Sequence, residues 1–235
     1  MRSKLTVVMF LTICLTTASS LVGQKKLKPW KEWSKTDAQK ILNDSPWAHL
    51  QVDQDFQEAS PLTRPPDPSV DTRLKQNEGM TYGIRFFSAR PVRQAFVRVI
   101  QLQKKDLTPD VTARLNTFAE IASEDSIIIA VTVENPDANM LGKAMQIIRN
   151  ATTVGIKNLT YLERNDGKRI FLEQYTPPGG DGFGARFIFP RMVDGKPFLS
   201  SEFEAVRFVS TVDPLIKFNM TYKVKDMMLD GKLEY

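Results

Sequence analysis

The chain has 235 residues, 42% of them hydrophobic, enough to bury a substantial core, and its formal charge of +5 is too small a surplus for a nucleic-acid binder. Its single cysteine, Cys14, lies in the first apolar stretch, so the remainder offers no disulfide, thiol nucleophile or thiolate metal site. His49 is the only histidine, which removes most acid/base and metal schemes.

Residues 1–23 have the three-part order of a secretory signal peptide: Arg2 and Lys4, an apolar stretch from Leu5 to about Thr16, then the small residues Ala18, Ser19, Ser20 and Gly23. The stretch falls short of the roughly 20 apolar residues that a permanent membrane anchor needs. Cleavage near Gly23 and delivery to the periplasm or the outside of the cell are therefore expected. Ile13 and Leu15 flank Cys14 where a lipid-modified cysteine would want a small and a polar neighbour. An exported chain whose mature part lacks cysteine fits a bacterial envelope better than an oxidising eukaryotic route. Beyond residue 23, 30 basic residues face 27 acidic ones, a balance of +3.

Residues 24–57 form a tryptophan-rich helical arm. The stretch KPWKEWSKTDAQKILNDSPW holds all three tryptophans, Trp30, Trp33 and Trp47. Ser34 and Asp37 stand at capping-box spacing for a helix over 36–43, with Ala38, Ile41 and Leu42 as its apolar stripe. Pro46 stops that helix, and AHLQVDQDF continues as an extended run. The tryptophans are candidate partner contacts, but Trp30 and Trp33 precede the helix and Trp47 follows a proline. That spacing favours three separate anchors over one binding stripe and predicts their burial. Residues 58–79, with Pro61, Pro65, Pro66 and Pro68 among charges, are expected to form a linker.

Residues 80–235 are expected to form one α+β domain. MTYGIRFFSA alternates as a strand. RPVRQAFVRVIQLQKK has helical spacing through Val92, Phe96, Val99 and Gln103, and TPDVTARLNTFAEIA opens on Thr108 as cap and Pro109 at the first helical position. Joined by DLTP, the two predict a helical hairpin. SIIIAVTVE has the continuous β-branched character of a strand covered on both faces, and a third helix is expected over 138–150. From VGIKNLTYLER onward the pattern predicts strands only: KRIFLEQYT, FGARFIFP, FEAVRFVST and LIKFNMTYKVK, with turns at Asn165-Asp166-Gly167 and Asp194-Gly195. The expected architecture is an antiparallel meander sheet in the C-terminal half, packed with the early helical hairpin and the third helix and preceded by the short helical arm.

Candidate chemistry is sparse. Asp44, Ser45 and His49 lie within six residues around a proline, a poor placement for a triad assembled from separate parts of a fold. PPGGDGFGARF meets a loose dinucleotide spacing at Gly180, Gly182 and Ala185, but a strand follows where the phosphate-binding motif needs a helix. A mobile loop that brings Asp181, Phe183 and Arg186 to a ligand is the weaker functional reading. Asn135, Asp137 and Asn139 start like a calcium loop, which Met140 and Gln146 then break. Arg90 and Arg93 fall at the opening turn of a helix, where cations oppose the dipole; pairing with carboxylates of a neighbouring element, or an anionic ligand, would account for them. No catalytic residue, metal ligand or cofactor is assigned.

The spaced tryptophans, DSPWA, FFSARPVRQAFVR and KDMMLDGKLEY resemble a group of exported proteins of environmental bacteria, through Trp33, Ser45, Pro46, Trp47, Arg90, Pro91, Arg93, Asp226, Met227, Gly231 and Tyr235. The resemblance implies export and a single architecture, and assigns no activity. The leading expectation is a non-enzymatic binding or envelope-assembly protein with an envelope or extracellular partner. The alternatives are a carboxylate-dependent hydrolase or lyase acting on an envelope polymer, with Glu173 and Asp181 as candidates, and a small-ligand or lipid carrier with a cavity lined by Phe96, Phe118 and Met220.

Overall fold

A computed structural model describes residues 28–54, 56, 79–104, 106–121 and 125–235. The expected signal peptide and nearly all of the 58–79 segment lie outside the described residues.

Strand periodicity builds the core. β2 (Met80–Phe86) and β3 (Ser126–Glu134) pair antiparallel, with Tyr82, Ile84 and Phe86 level with Val133, Val131 and Ile129. β7 (Ala185–Pro190) extends the same face, setting Phe187 and Phe189 beside Ile129 and Ile127. β1 (Ala48–Asp53) and β6 (Gln174–Thr176) complete a five-stranded antiparallel sheet in the order β1-β2-β3-β7-β6. The arm and the domain that follows it therefore share one sheet. A second sheet, in the order β11-β10-β4-β5, consists of β4 (Thr160–Arg164), β5 (Arg169–Phe171), β10 (Ala205–Asp213) and β11 (Ile216–Lys223). In β11 Phe218 and Tyr222 are buried while Lys217, Asn219, Thr221 and Lys223 are exposed, as the one-sided alternation predicts.

The inner faces of the two sheets meet through aromatic rings. Tyr82 and Phe218 have centroids 5.1 Å apart, Phe86 and Tyr222 4.7 Å, and Phe187 and Phe208 5.3 Å, all edge to face. The Tyr222 hydroxyl donates to the Ile84 carbonyl at 2.9 Å, which pins one sheet to the other. At the edges the Gln51 amide reaches from β1 to β11, donating to the Lys217 carbonyl at 2.7 Å and accepting from the Asn219 N–H at 3.1 Å.

The first helix attaches to the other side of β2, through Arg85. α1 (Lys35–Asn43) starts in a complete capping box, Ser34 Oγ accepting from the Asp37 N–H and Asp37 accepting from the Ser34 N–H. It ends on Arg85, whose guanidinium donates to the Leu42 carbonyl, to Asn43 Oδ1 at 2.9 Å and to Thr132 Oγ1 at 2.7 Å. α2 (Arg90–Gln103) and α3 (Pro109–Glu120) form the expected hairpin, with Thr108 accepting from the Val111 N–H. α2 is buried nearly all round in its first turns, Val92, Arg93, Gln94 and Ala95 included. α4 (Ala138–Asn150) is capped by Asp137 and packs Ala144 and Ile148 into the main core.

The fold is α+β, and three local expectations are corrected. Residues 153–159 are helical, as α5 (Thr153–Ile156) and a further 3-10 turn, not strand. Thr152 accepts from the Gly155 N–H and caps this turn, which leaves Val154 in solvent. KRIFLEQYT is not one strand: the Leu172 N–H bonds to Thr160 and the Glu173 N–H to Ile188, so the chain passes from one sheet to the other between β5 and β6. The late strands accordingly divide between two sheets. Two further hairpins, β8 (Met192–Val193) with β9 (Lys196–Pro197) and β12 (Met228–Leu229) with β13 (Lys232–Leu233), turn at Asp194-Gly195 and Asp230-Gly231. All four turn residues have positive φ, as tight hairpins of this hand require.

Candidate functional site

The three tryptophans are buried, at 8%, 4% and 3% exposure for Trp30, Trp33 and Trp47. Trp30 and Trp33 pack with Ala38, Ala95, Val97 and Ala119 of the helical layer, and Trp47 joins the main core. Each indole N–H has an acceptor: Glu120 Oε1 at 2.7 Å, the Lys28 carbonyl at 2.9 Å and the Glu234 carbonyl at 2.8 Å. They act as anchors, and Glu120 at the end of α3 is the hydrogen-bond partner of Trp30.

Trp47 leads to the arginines. Glu234, whose carbonyl holds Trp47, also turns its carboxylate onto the first turn of α2, accepting from the Arg90 N–H at 3.3 Å. Ala89, the cap residue, has no side-chain acceptor to offer, so Glu234 supplies the missing one. The Arg90 guanidinium lies 3.2 Å from Glu234 and 3.6 Å from Asp230. Arg93 has no carboxylate bond among the described residues and donates to the Ser88 carbonyl. Arg191 donates to the Tyr235 main-chain oxygen and stacks 4.0 Å over that tyrosine ring. The structure thus joins Trp47, Arg90 and Arg93 to residues 227–235, with Arg191 as a member that the sequence did not single out.

The glycine-rich loop turns inward. Phe183 lies among Phe87, Phe96 and Phe118, with centroids 4.8, 4.6 and 5.7 Å away, so rings fill the space where a carrier would need a cavity. Met220 lies on β11 and packs against the main core from the second sheet. Asp181 and Arg186 pair at 2.7 Å. Burial is the largest single influence on Asp181 and raises its pKa, but the Phe183 N–H and Arg186 together outweigh it and hold the carboxyl below its ordinary value. Glu173 is exposed, with its main chain in the β6–β7 pairing region. The Ser45 hydroxyl donates to the Ile41 carbonyl and accepts from the Trp47 N–H, while His49 stacks on Tyr222 at 4.9 Å. Among the described residues no group of three His, Cys, Asp or Glu is arranged to hold a metal, and no helix is long and apolar enough to cross a membrane.

The outer side of the four-stranded sheet has a different character. Its registers align Thr221, Arg207, Glu163 and Arg169 in one row and Asn219, Val209, Tyr161 and Phe171 in the next. Phe171 is 50% exposed and lies 5.8 Å from Tyr161, over whose ring the Arg169 guanidinium sits at 4.4 Å. Glu163 accepts from both Arg169 and Arg207, and the first of these bonds chiefly holds its carboxyl below the ordinary range. With Lys217 and Lys223 on β11, four cations share this face with one carboxylate among the described outward positions. A cavity of about 620 Å³ lies at the nearby end of the sheet beside Arg164, Lys168, Phe198 and Phe203. Two of its cations are already engaged: Arg164 pairs with Asp166 and stacks on Phe203 at 3.8 Å, and Lys168 pairs with Asp194 at 3.2 Å.

Compared with known protein families, curated proteins and solved structures, the chain finds no match.

Proposed function

We propose that this chain is an exported, non-enzymatic binding protein of the bacterial envelope or its surroundings, and that it takes an anionic polysaccharide onto the outer side of its four-stranded sheet. The observation that carries this reading is the exposed Phe171 beside the half-buried Tyr161, bordered by Arg169, Arg207, Lys217 and Lys223. Aromatic faces of this kind stack on the apolar faces of sugar rings, and the surrounding cations suit carboxylate or phosphate substituents. A flat face also accommodates a chain rather than a single small molecule, whereas small ligands favour concave sites. The leader-like residues 1–23 support the location, and the use of Asp181, Asp137 and Glu163 as structural acceptors supports a binding role over carboxylate catalysis.

The test is retention of the purified protein on polygalacturonate, with neutral dextran as control. We expect retention that weakens with salt, and a loss of affinity of about tenfold or more in the Tyr161→Ala/Phe171→Ala double variant, as for aromatic anchors at other interfaces. Equal affinity for both polymers, or an unchanged double variant, would overturn the proposal. Release of reducing ends from the polymer, abolished by Glu173→Gln or Asp181→Asn, would favour the hydrolase instead.

A further inference from the structure

Three arginines from distant parts of the chain meet at the opening of α2, and each keeps a buried Nε without a hydrogen-bond partner: Arg90, Arg93 and Arg191. Only the Tyr82 hydroxyl shares that condition among the described residues. Arg93 is 5% exposed, and its guanidinium folds back to the Ser88 carbonyl just ahead of the helix cap, so its donors gather at the opening turn. Against these three cations stand the carboxylate of Glu234 and the Tyr235 main-chain oxygen that Arg191 holds. Glu234 Oε1 is 3.2 Å from Arg90 Nε, an ion-pair distance without the alignment of a hydrogen bond. Asp230 adds a second carboxylate, but from solvent. Burial holds the Arg93 guanidinium below its ordinary pKa; Glu234 and, more weakly, Glu120 oppose that, and Arg191 and Arg90 add to it. Buried charged donors without acceptors are costly, so a cluster of them at one place calls for an acceptor group.

We propose that this junction is an oxyanion site, in which a phosphate or carboxylate group enters beside Glu234 and accepts from Nε of Arg93 and Arg191 at the positive end of α2. Guanidinium forks and a helix N-terminus are the two protein features that most favour such groups, and here they coincide. The site is independent of the sheet-face reading, because it uses none of the same side chains.

The experiment is thermal unfolding of the purified protein titrated with inorganic phosphate, and separately with citrate, to about 10 mM at constant ionic strength. The Trp47 emission is followed in parallel, since its indole is bonded to the Glu234 carbonyl. A saturable rise in Tm of about 3 °C with at least one anion is expected, together with a saturable change in emission. Arg191→Gln should weaken the midpoint about tenfold, and so should Arg93→Lys, which keeps the charge but loses the fork. If Arg93→Lys does not fold, Arg191→Gln and Arg90→Gln carry the comparison. No shift with either anion, or a linear shift equal in native protein and variants, which general salt exclusion would produce, overturns the site.

Discussion

His49 shows how a residue that looks catalytic in sequence is given a structural task. It lies on β1 with its ring against Tyr222, and burial lowers its pKa below the ordinary 6.5, with the Asp44 charge pulling the other way. The unfolded chain therefore takes up this proton first as the pH falls through 6.5. The His49 contribution to stability is complete above that value and is lost on acidification towards the lower folded-state value. Urea unfolding at pH 7 and pH 5 should show a larger loss for the native protein than for His49→Phe, which keeps a ring on Tyr222 and does not titrate. Equal losses would mean that the imidazole is neutral to folding. Arg85 makes the complementary point: a buried cation satisfied by the end of α1, by Asn43 and by Thr132 ties the helical layer to the sheet without using a carboxylate at hydrogen-bond distance.

Elements were legible where their chemistry is local. Ser34 with Asp37, Thr108 with Pro109, and Asp137 each mark a helix start within four residues, and the structure uses all three. What sequence could not supply was pairing across distance. The passage from β5 to β6 depends on which sheet claims each amide, and Arg191 and Glu234 meet Arg90 only after the whole core has assembled. For the same reason Phe171 resembles its buried neighbours in sequence but emerges on the outer face. The glycine-rich loop shows the distinction at one position. Gly184 has φ +78°, and a Cβ there would lie 2.2 Å from the Val131 carbonyl oxygen, whereas a Cβ on Gly180 would meet nothing within 4 Å. Gly184→Ala should cost at least about 2 kcal/mol in urea unfolding, and Gly180→Ala less than about 0.5 kcal/mol. Similar costs would show that the loop does not hold this backbone in solution.

At the scale of the molecule, the tryptophan arm belongs to the same cooperative structure as the sheets. Trp30 and Trp33 sit in the helical layer and Trp47 in the main core, so their fluorescence samples both packing clusters. The folded protein should emit at short wavelength, and its red shift in denaturant should coincide with loss of far-UV ellipticity in one transition. An earlier red shift would reveal an arm that detaches by itself. Among the described residues, cations gather at the outer sheet face and at the opening of α2, which is how a nearly balanced sequence can still offer two cationic surfaces.

The sheet edges carry a further consequence. β6 and β5, the last strands of the two sheets on one flank, are joined by Leu172 and Glu173, and β1 and β11 on the other flank are joined through Gln51. The two layers thus approximate a flattened barrel with two seams, one sewn by the main chain and the other by a single side-chain amide. Edge strands with free amides and carbonyls are templates for strand addition from another molecule. Gln51, by occupying a carbonyl and an amide of β11 at once, withdraws that template, and a residue with no part in binding becomes a guard against self-association.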